Sequence, residues 1–171
     1  MTSVSSVHNF KDDKERDIFI LQSVRSLCEG NNHYISNAAN ISALLFEYIP
    51  NINWIGFYFL HNNILHLGPF QGKVACTHIL VGKGVCGTAV TEKKSQRIAN
   101  VHDFPGHIAC DSASNSELVI PLWYNENIIG VLDIDSPLFT RFSISDEIFF
   151  TQITAIFSEH SDFSFYSSVI T

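Results

Sequence analysis

Two stretches of this chain are written as strand, tight turn, strand. In the first, residues 53–60 (NWIGFYFL) form an aromatic and β-branched run, HNN supplies turn residues, and residues 64–70 (ILHLGPF) run back. In the second, residues 117–124 (ELVIPLWY) and 128–135 (IIGVLDID) flank Asn125, Glu126 and Asn127. Turns this short force antiparallel neighbours, because a parallel pair needs a crossover of about a dozen residues or more. The chain is therefore committed to an antiparallel sheet, and the remaining segments must cover it.

Those segments read mostly as helices. Asp12 or Asp13 can cap a helix to Cys28, with Ile18, Leu21, Val24 and Leu27 on its apolar stripe and Gly30 as its stop. A second helix is expected over 34–48, ended by Pro50. Residues 74–80 (VACTHIL) read as a third strand, and 82–90 (GKGVCGTAV) as glycines leading into a short helix. SQRIA reads as a brief strand. Residues 100–116 are irregular. A last helix begins near Ser143, with Asp146 completing a capping box. The order predicts an α+β domain: a central antiparallel sheet with helices packed mainly on one face. Residues 1–10 are expected as a flexible tail, 11–162 as the domain and 163–171 as a C-terminal tail.

Composition narrows the function classes. The chain has 46% hydrophobic and 16% charged residues, enough to fill one core, and 14 phenylalanines weight that core towards aromatic packing. A net charge of −7 argues against nucleic acid and anionic membranes, which need clustered Lys and Arg. The N-terminus has no apolar signal region, so the expected location is the cytoplasm, with the nucleus as an alternative. Reduced thiols are expected there, although Cys28, Cys76, Cys86 and Cys110 make an even count.

The second hairpin carries the sharpest geometry. A turn centred on Glu126 makes opposed residue numbers sum to 252, so Glu117 faces Asp135. Asp133 lies two residues away on the same face, together with Val119, Ile129 and Val131. Like charges directly opposed are destabilising. A bound cation, a shared proton or full solvation would each offset them; exposed strand ends carrying hydrated carboxylates are the plain alternative.

The cysteines divide by setting. Cys28 falls on the buried stripe of the first helix. Cys76 alternates with Val74 as a small core residue would. Cys86 opens the predicted short helix, where the helix end lowers a thiol's pKa and gives it a local reason to react. Cys110 sits in FPGHIACDSAS (104–114), a polar loop without period, beside an Asp111 that raises its pKa. His102 and His107 share that loop and His78 lies near Cys76, but no standard ligand spacing occurs, and no metal is expected. Trp54 and Tyr58 share one strand face, as core or as the wall of a ligand pocket.

The stretches NWIGFY (53–58), LGPFQGKVAC (67–76), GKGVCGTA (82–89), FPGHIACDSAS (104–114), SELVIPL (116–122) and GVLDIDSP (130–137) together resemble the free methionine-(R)-sulfoxide reductases, a branch of the GAF-domain superfamily. The resemblance spans about residues 40–155. It implies a GAF-like fold with a loop-covered pocket opposite the helices, and reduction of free L-methionine-(R)-S-oxide to methionine. It implies Cys110 as the nucleophile, Cys76 as its disulfide partner, and Cys86 as a third redox cysteine. It implies Glu117, Asp133 and Asp135 as acidic substrate-site residues, with Trp54 and Tyr58 as the aromatic wall. No bound cofactor is implied; thioredoxin fed by NADPH would be the external reductant, and the family likeness allows a homodimer. The rival reading is a non-catalytic GAF domain that senses a small molecule.

Overall fold

The computed structural model describes residues 9–106 and 113–164. Its elements run α1 (Asp13–Cys28), α2 (Tyr34–Tyr48), β1 (Trp54–His61), β2 (Ile64–Gly72), β3 (His78–Leu80), α3 (Gly84–Glu92), β4 (Gln96–Ile98), a 3-10 turn (Val101–Asp103), β5 (Ser116–Tyr124), β6 (Asn127–Ser136) and α4 (Ile144–His160). The six strands lie in the order β3-β2-β1-β6-β5-β4, and every neighbouring pair is antiparallel.

Local chemistry explains the helix ends. The Asp12 carboxylate accepts the Glu15 N–H at 2.8 Å, satisfying a donor that the first turn of α1 leaves open. Gly30 takes φ 74° just past its end. Ser143 and Asp146 form the expected capping box at the start of α4.

Both hairpins close through two-residue turns with two positive φ values: Asn62 and Asn63 (49° and 60°), then Asn125 and Glu126 (46° and 64°). Such turns match the right-handed twist of the strands, and asparagine tolerates them well. The expected three-residue turn 125–127 is thus one residue too long, since Asn127 already pairs with Tyr124. A bulge at Ile129 of β6, between the Leu122–Gly130 and Trp123–Ile128 pairs, adds the missing residue back. Beyond it the pairing sums to 252 again, and Glu117 faces Asp135 as expected. The bulge also turns Ile129 over. It packs with the helices, and Ile128 faces the other side, contrary to the strict alternation assumed for Ile129.

Two hydrophobic clusters result. α1, α2 and α4 cover one sheet face through Ile20, Leu45, Phe57, Leu132, Phe150 and Phe157, all fully buried. Cys28 belongs to this cluster, and its burial raises the thiol's pKa. Phe163, one residue beyond the expected domain end, is also fully buried there against Tyr34, Tyr124 and Phe157. Among the described residues the opposite face carries only α3 and the loops, and its cluster is smaller, built on an aromatic pair: Trp54 and Tyr58, with Val119, Val131 and, from α3, Val85 and Ala89.

The predicted strand over 74–80 shrinks to His78–Leu80. Val74 is 88% exposed, so the alternation read there has no core behind it. No helix among the described residues is long and apolar enough to cross a membrane.

Candidate functional site

The pocket face of β1, β5 and β6 gathers the predicted carboxylates. Asp135 stands between Glu117 on β5 and Trp54 on β1, and Asp133 between Val119 and Gly56. Gly56 is glycine for a reason visible here. A Cβ would lie 2.6 Å from the Trp54 ring and 2.4 Å from the Phe70 Cβ, so the indole lies over the glycine beside Asp133. Glu117 and Asp133 are 6% and 7% exposed, which removes the hydrated-strand-end alternative for both. Asp135 is half-buried.

Cys86 closes this group from α3. Its thiol donates to Glu117 Oε1 at 3.9 Å, and ligating atoms of Cys86, Glu117 and Asp133 all lie within 4.8 Å of one another. Burial is the main force on each. It pushes the Glu117 carboxyl well above the usual carboxylate range, helped by the charges of Asp133 and Asp135. It raises Asp133 to about 6, against the lowering bonds from Cys86, Glu117 and the Ile134 backbone. The Cys86 thiol is pushed well above its ordinary value by burial, then by Asp133 and Glu117. This corrects the expectation of a thiol activated by its helix end. Cys86 is in the first turn of α3, but two buried acids outweigh the helix dipole. Among the described residues Asp133 Oδ1 has no hydrogen-bond partner.

The arrangement suits a proton-holding acid pair facing a cationic or oxygen-bearing ligand. Among the described residues Cys86, Glu117 and Asp133 are also the set that could hold a metal ion. A metal would have to displace protons that burial favours on all three. An ammonium group needs no such displacement.

Trp54 and Tyr58 form the aromatic wall, buried and stacked at 5.9 Å between centroids, with Phe70 stacked beyond Trp54 at 5.3 Å. Burial and the nearby acids raise the Tyr58 phenol's pKa, so its hydroxyl stays protonated and donates to Cys76 O at 3.1 Å. Cys76 is disulfide-bonded, while Cys28 and Cys86 are free thiols. Cys110, with His107 and Asp111, lies outside the described residues. The stems of its loop are described, and they carry residues the sequence reading passed over. Asn53 Nδ2 donates to Ser114 Oγ at 3.1 Å, and Asn115 Nδ2 donates to Pro137 O at 2.7 Å. Asn115 also meets the His102 ring at 3.0 Å, which gives that histidine a structural partner. The sequence signal for these anchors is the run of small polar residues that closes the loop.

A family model described as "GAF domain" matches residues 40–159. The chain is 55% identical over 130 residues to the free methionine-R-sulfoxide reductase of Escherichia coli, covering 76% of this chain and 79% of that one. The chain belongs to the free methionine-R-sulfoxide reductases of the GAF-domain family. The reductase of this family from Saccharomyces cerevisiae is 39% identical over 148 residues, covering 82% of each chain. The crystal structure of the free methionine-R-sulfoxide reductase from Neisseria meningitidis, in complex with its substrate, superposes with a TM-score of 0.85 at 34% identity. That match covers 89% of this chain and 92% of that one. The α+β order read from the hairpins and their helical cover, and the GAF-like fold that the resemblance implied, thus match the fold of the family.

Proposed function

We propose that this protein is a reductase that converts free L-methionine-(R)-S-oxide to L-methionine using its own thiols. The observation that carries the proposal is the buried Glu117–Asp133 pair, set against Cys86 beside Asp135 and the aromatic wall, where burial raises the pKa of both carboxyls. A sulfoxide oxygen leaves sulfur poorly until it is protonated, and a carboxyl group of raised pKa supplies that proton near neutral pH. Asp135 and the acceptor at Asp133 suit the substrate's ammonium, and Trp54 and Tyr58 suit its methyl and thioether. A pocket with these walls takes a free amino acid more readily than a polypeptide.

In this reading the Cys110 sulfur attacks the protonated sulfoxide. Oxygen passes to the cysteine, methionine leaves, and a sulfenic acid remains. The Cys76 thiol then attacks that sulfenic sulfur; an S–S bond forms, the S–O bond breaks, and the oxygen departs as water. Support for Cys76 comes from its disulfide in this structure, with Cys28 and Cys86 both free. Cys86 then serves as a protonated partner of the acids rather than as a thiolate. An external dithiol, thioredoxin recharged by NADPH, returns the pair to thiols, and no bound cofactor is required. The cytoplasm or nucleus would supply that reductant, and a homodimer is compatible with the scheme.

The test is a coupled assay with thioredoxin, thioredoxin reductase and NADPH. NADPH consumption is expected with free methionine-(R)-sulfoxide, not with the S form, and not in Cys110→Ser. A protein that binds the sulfoxide without consuming NADPH or releasing methionine would instead be a GAF-domain sensor.

A further inference from the structure

Residues 73–77 join β2 to β3 as a strap without strand structure. Two of the hydrogen bonds tying it to the sheet come from the ends of the aromatic wall. Trp54 Nε1 donates to Lys73 O at 3.0 Å, and Tyr58 Oη donates to Cys76 O at 3.1 Å. The donors are rigid, since both rings are fully or nearly fully buried and stacked in one column with Phe70. Gly72 lets the chain enter the strap tightly. Its φ is 126°, and a Cβ there would lie 2.6 Å from Trp54 Cδ1 and 2.7 Å from Asn53 O. Filling the pocket face with apolar rings would need no polar ends at all. Two buried donors aimed at carbonyls of one short strap are therefore an additional feature.

We propose that Tyr58 and Trp54 are positioning residues for Cys76: their polar ends clamp the strap so that the Cys76 sulfur is presented to the oxidised Cys110. The inference rests on the reading of Cys110 and Cys76 given above. Its physical basis is the narrow geometry of a disulfide, whose Cβ atoms must come within about 4.5 Å. A bond to the cysteine's own carbonyl fixes its backbone, leaving little more than χ1 to search. An unclamped strap would spend most of its time outside that geometry, and the sulfenic acid would persist.

Tyr58→Phe keeps the ring and removes only the donor. A single turnover of the reduced protein with methionine-(R)-sulfoxide is followed for methionine release, for sulfenic acid trapped by dimedone, and for disulfide formation. The expected result is a disulfide step slowed about tenfold relative to methionine release, the scale of one lost hydrogen bond, with trapped sulfenic acid rising accordingly. An equal fall in both steps would give the hydroxyl to the substrate and overturn the proposal, as would a ratio equal to wild type. Trp54→Phe tests the other end without any turnover. Tryptic cleavage after Lys73 in the reduced, folded protein should accelerate several-fold, and an unchanged rate would overturn the clamp. If the wild-type protein releases no methionine, the enzyme reading fails, while the cleavage experiment still decides the clamp.

Discussion

The two faces of the sheet bury cysteines in opposite ways. Cys28, on the helix face, sits among aliphatic and aromatic side chains, and burial alone raises its pKa. Cys86, on the pocket face, is as deeply buried but rests against Glu117 and Asp133. The helix face is built for stability and is filled by long apolar side chains from three helices. The pocket face holds two buried acids and a carboxylate oxygen with no hydrogen-bond partner among the described residues, an arrangement that opposes folding unless something else favours it. A thiol is thus not reactive or inert by depth. Its neighbours decide, and here they mark one face as structure and the other as chemistry.

Substitutions on the two faces should therefore separate stability from turnover. Phe150→Ala on the helix face removes a fully buried ring packed on Phe149. It should cost about 3–5 kcal/mol in denaturant unfolding, while the activity per folded molecule falls far less. Should its activity collapse at full folding, the separation of the faces would be wrong. Glu117→Gln on the pocket face should do the reverse. Steady-state turnover should drop about a hundredfold or more, as expected on losing a general acid. The melting temperature at neutral pH should hold or rise, because one buried acid is gone.

A weaker effect sharpens the same contrast. The folded pKa values of Glu117 and Asp133 lie above those of unfolded carboxyls, with Asp133 near 6. In that window the folded state binds more protons than the unfolded state, so these groups lower stability progressively as pH rises from about 4 through 6. Below the unfolded values their penalty is absent. The melting-temperature gain of Glu117→Gln over wild type should therefore grow from pH 4 to pH 7, and a gain independent of pH would deny Glu117 its raised pKa.

Much of this was legible in the residues, and the exceptions have physical causes. The hairpins were plain because strand alternation and asparagine turns are local signals. The Glu117–Asp135 register came out correctly through two offsetting errors, a turn read one residue long and an unseen bulge. Only Ile129, caught between them, was assigned to the wrong face. The strand expected at 74–80 failed because Trp54 and Tyr58 hold that segment by side-chain bonds, and such long-range contacts leave no periodic trace. Cys86 was placed correctly in the first turn of a helix. Its electrostatics were not, since they come from strands far along the chain. The grouping of the acids is visible in the sequence, whereas their burial is not, and burial is what raises their pKa values.

Whether a carboxyl in this pocket keeps its proton at neutral pH can be observed directly by infrared difference spectroscopy of the substrate-free protein across a pH titration. The account predicts a protonated-carboxyl C=O stretch that persists at pH 7 and is lost in Glu117→Gln. Complete ionisation of every carboxyl by pH 5, with no band removed by that substitution, would contradict it.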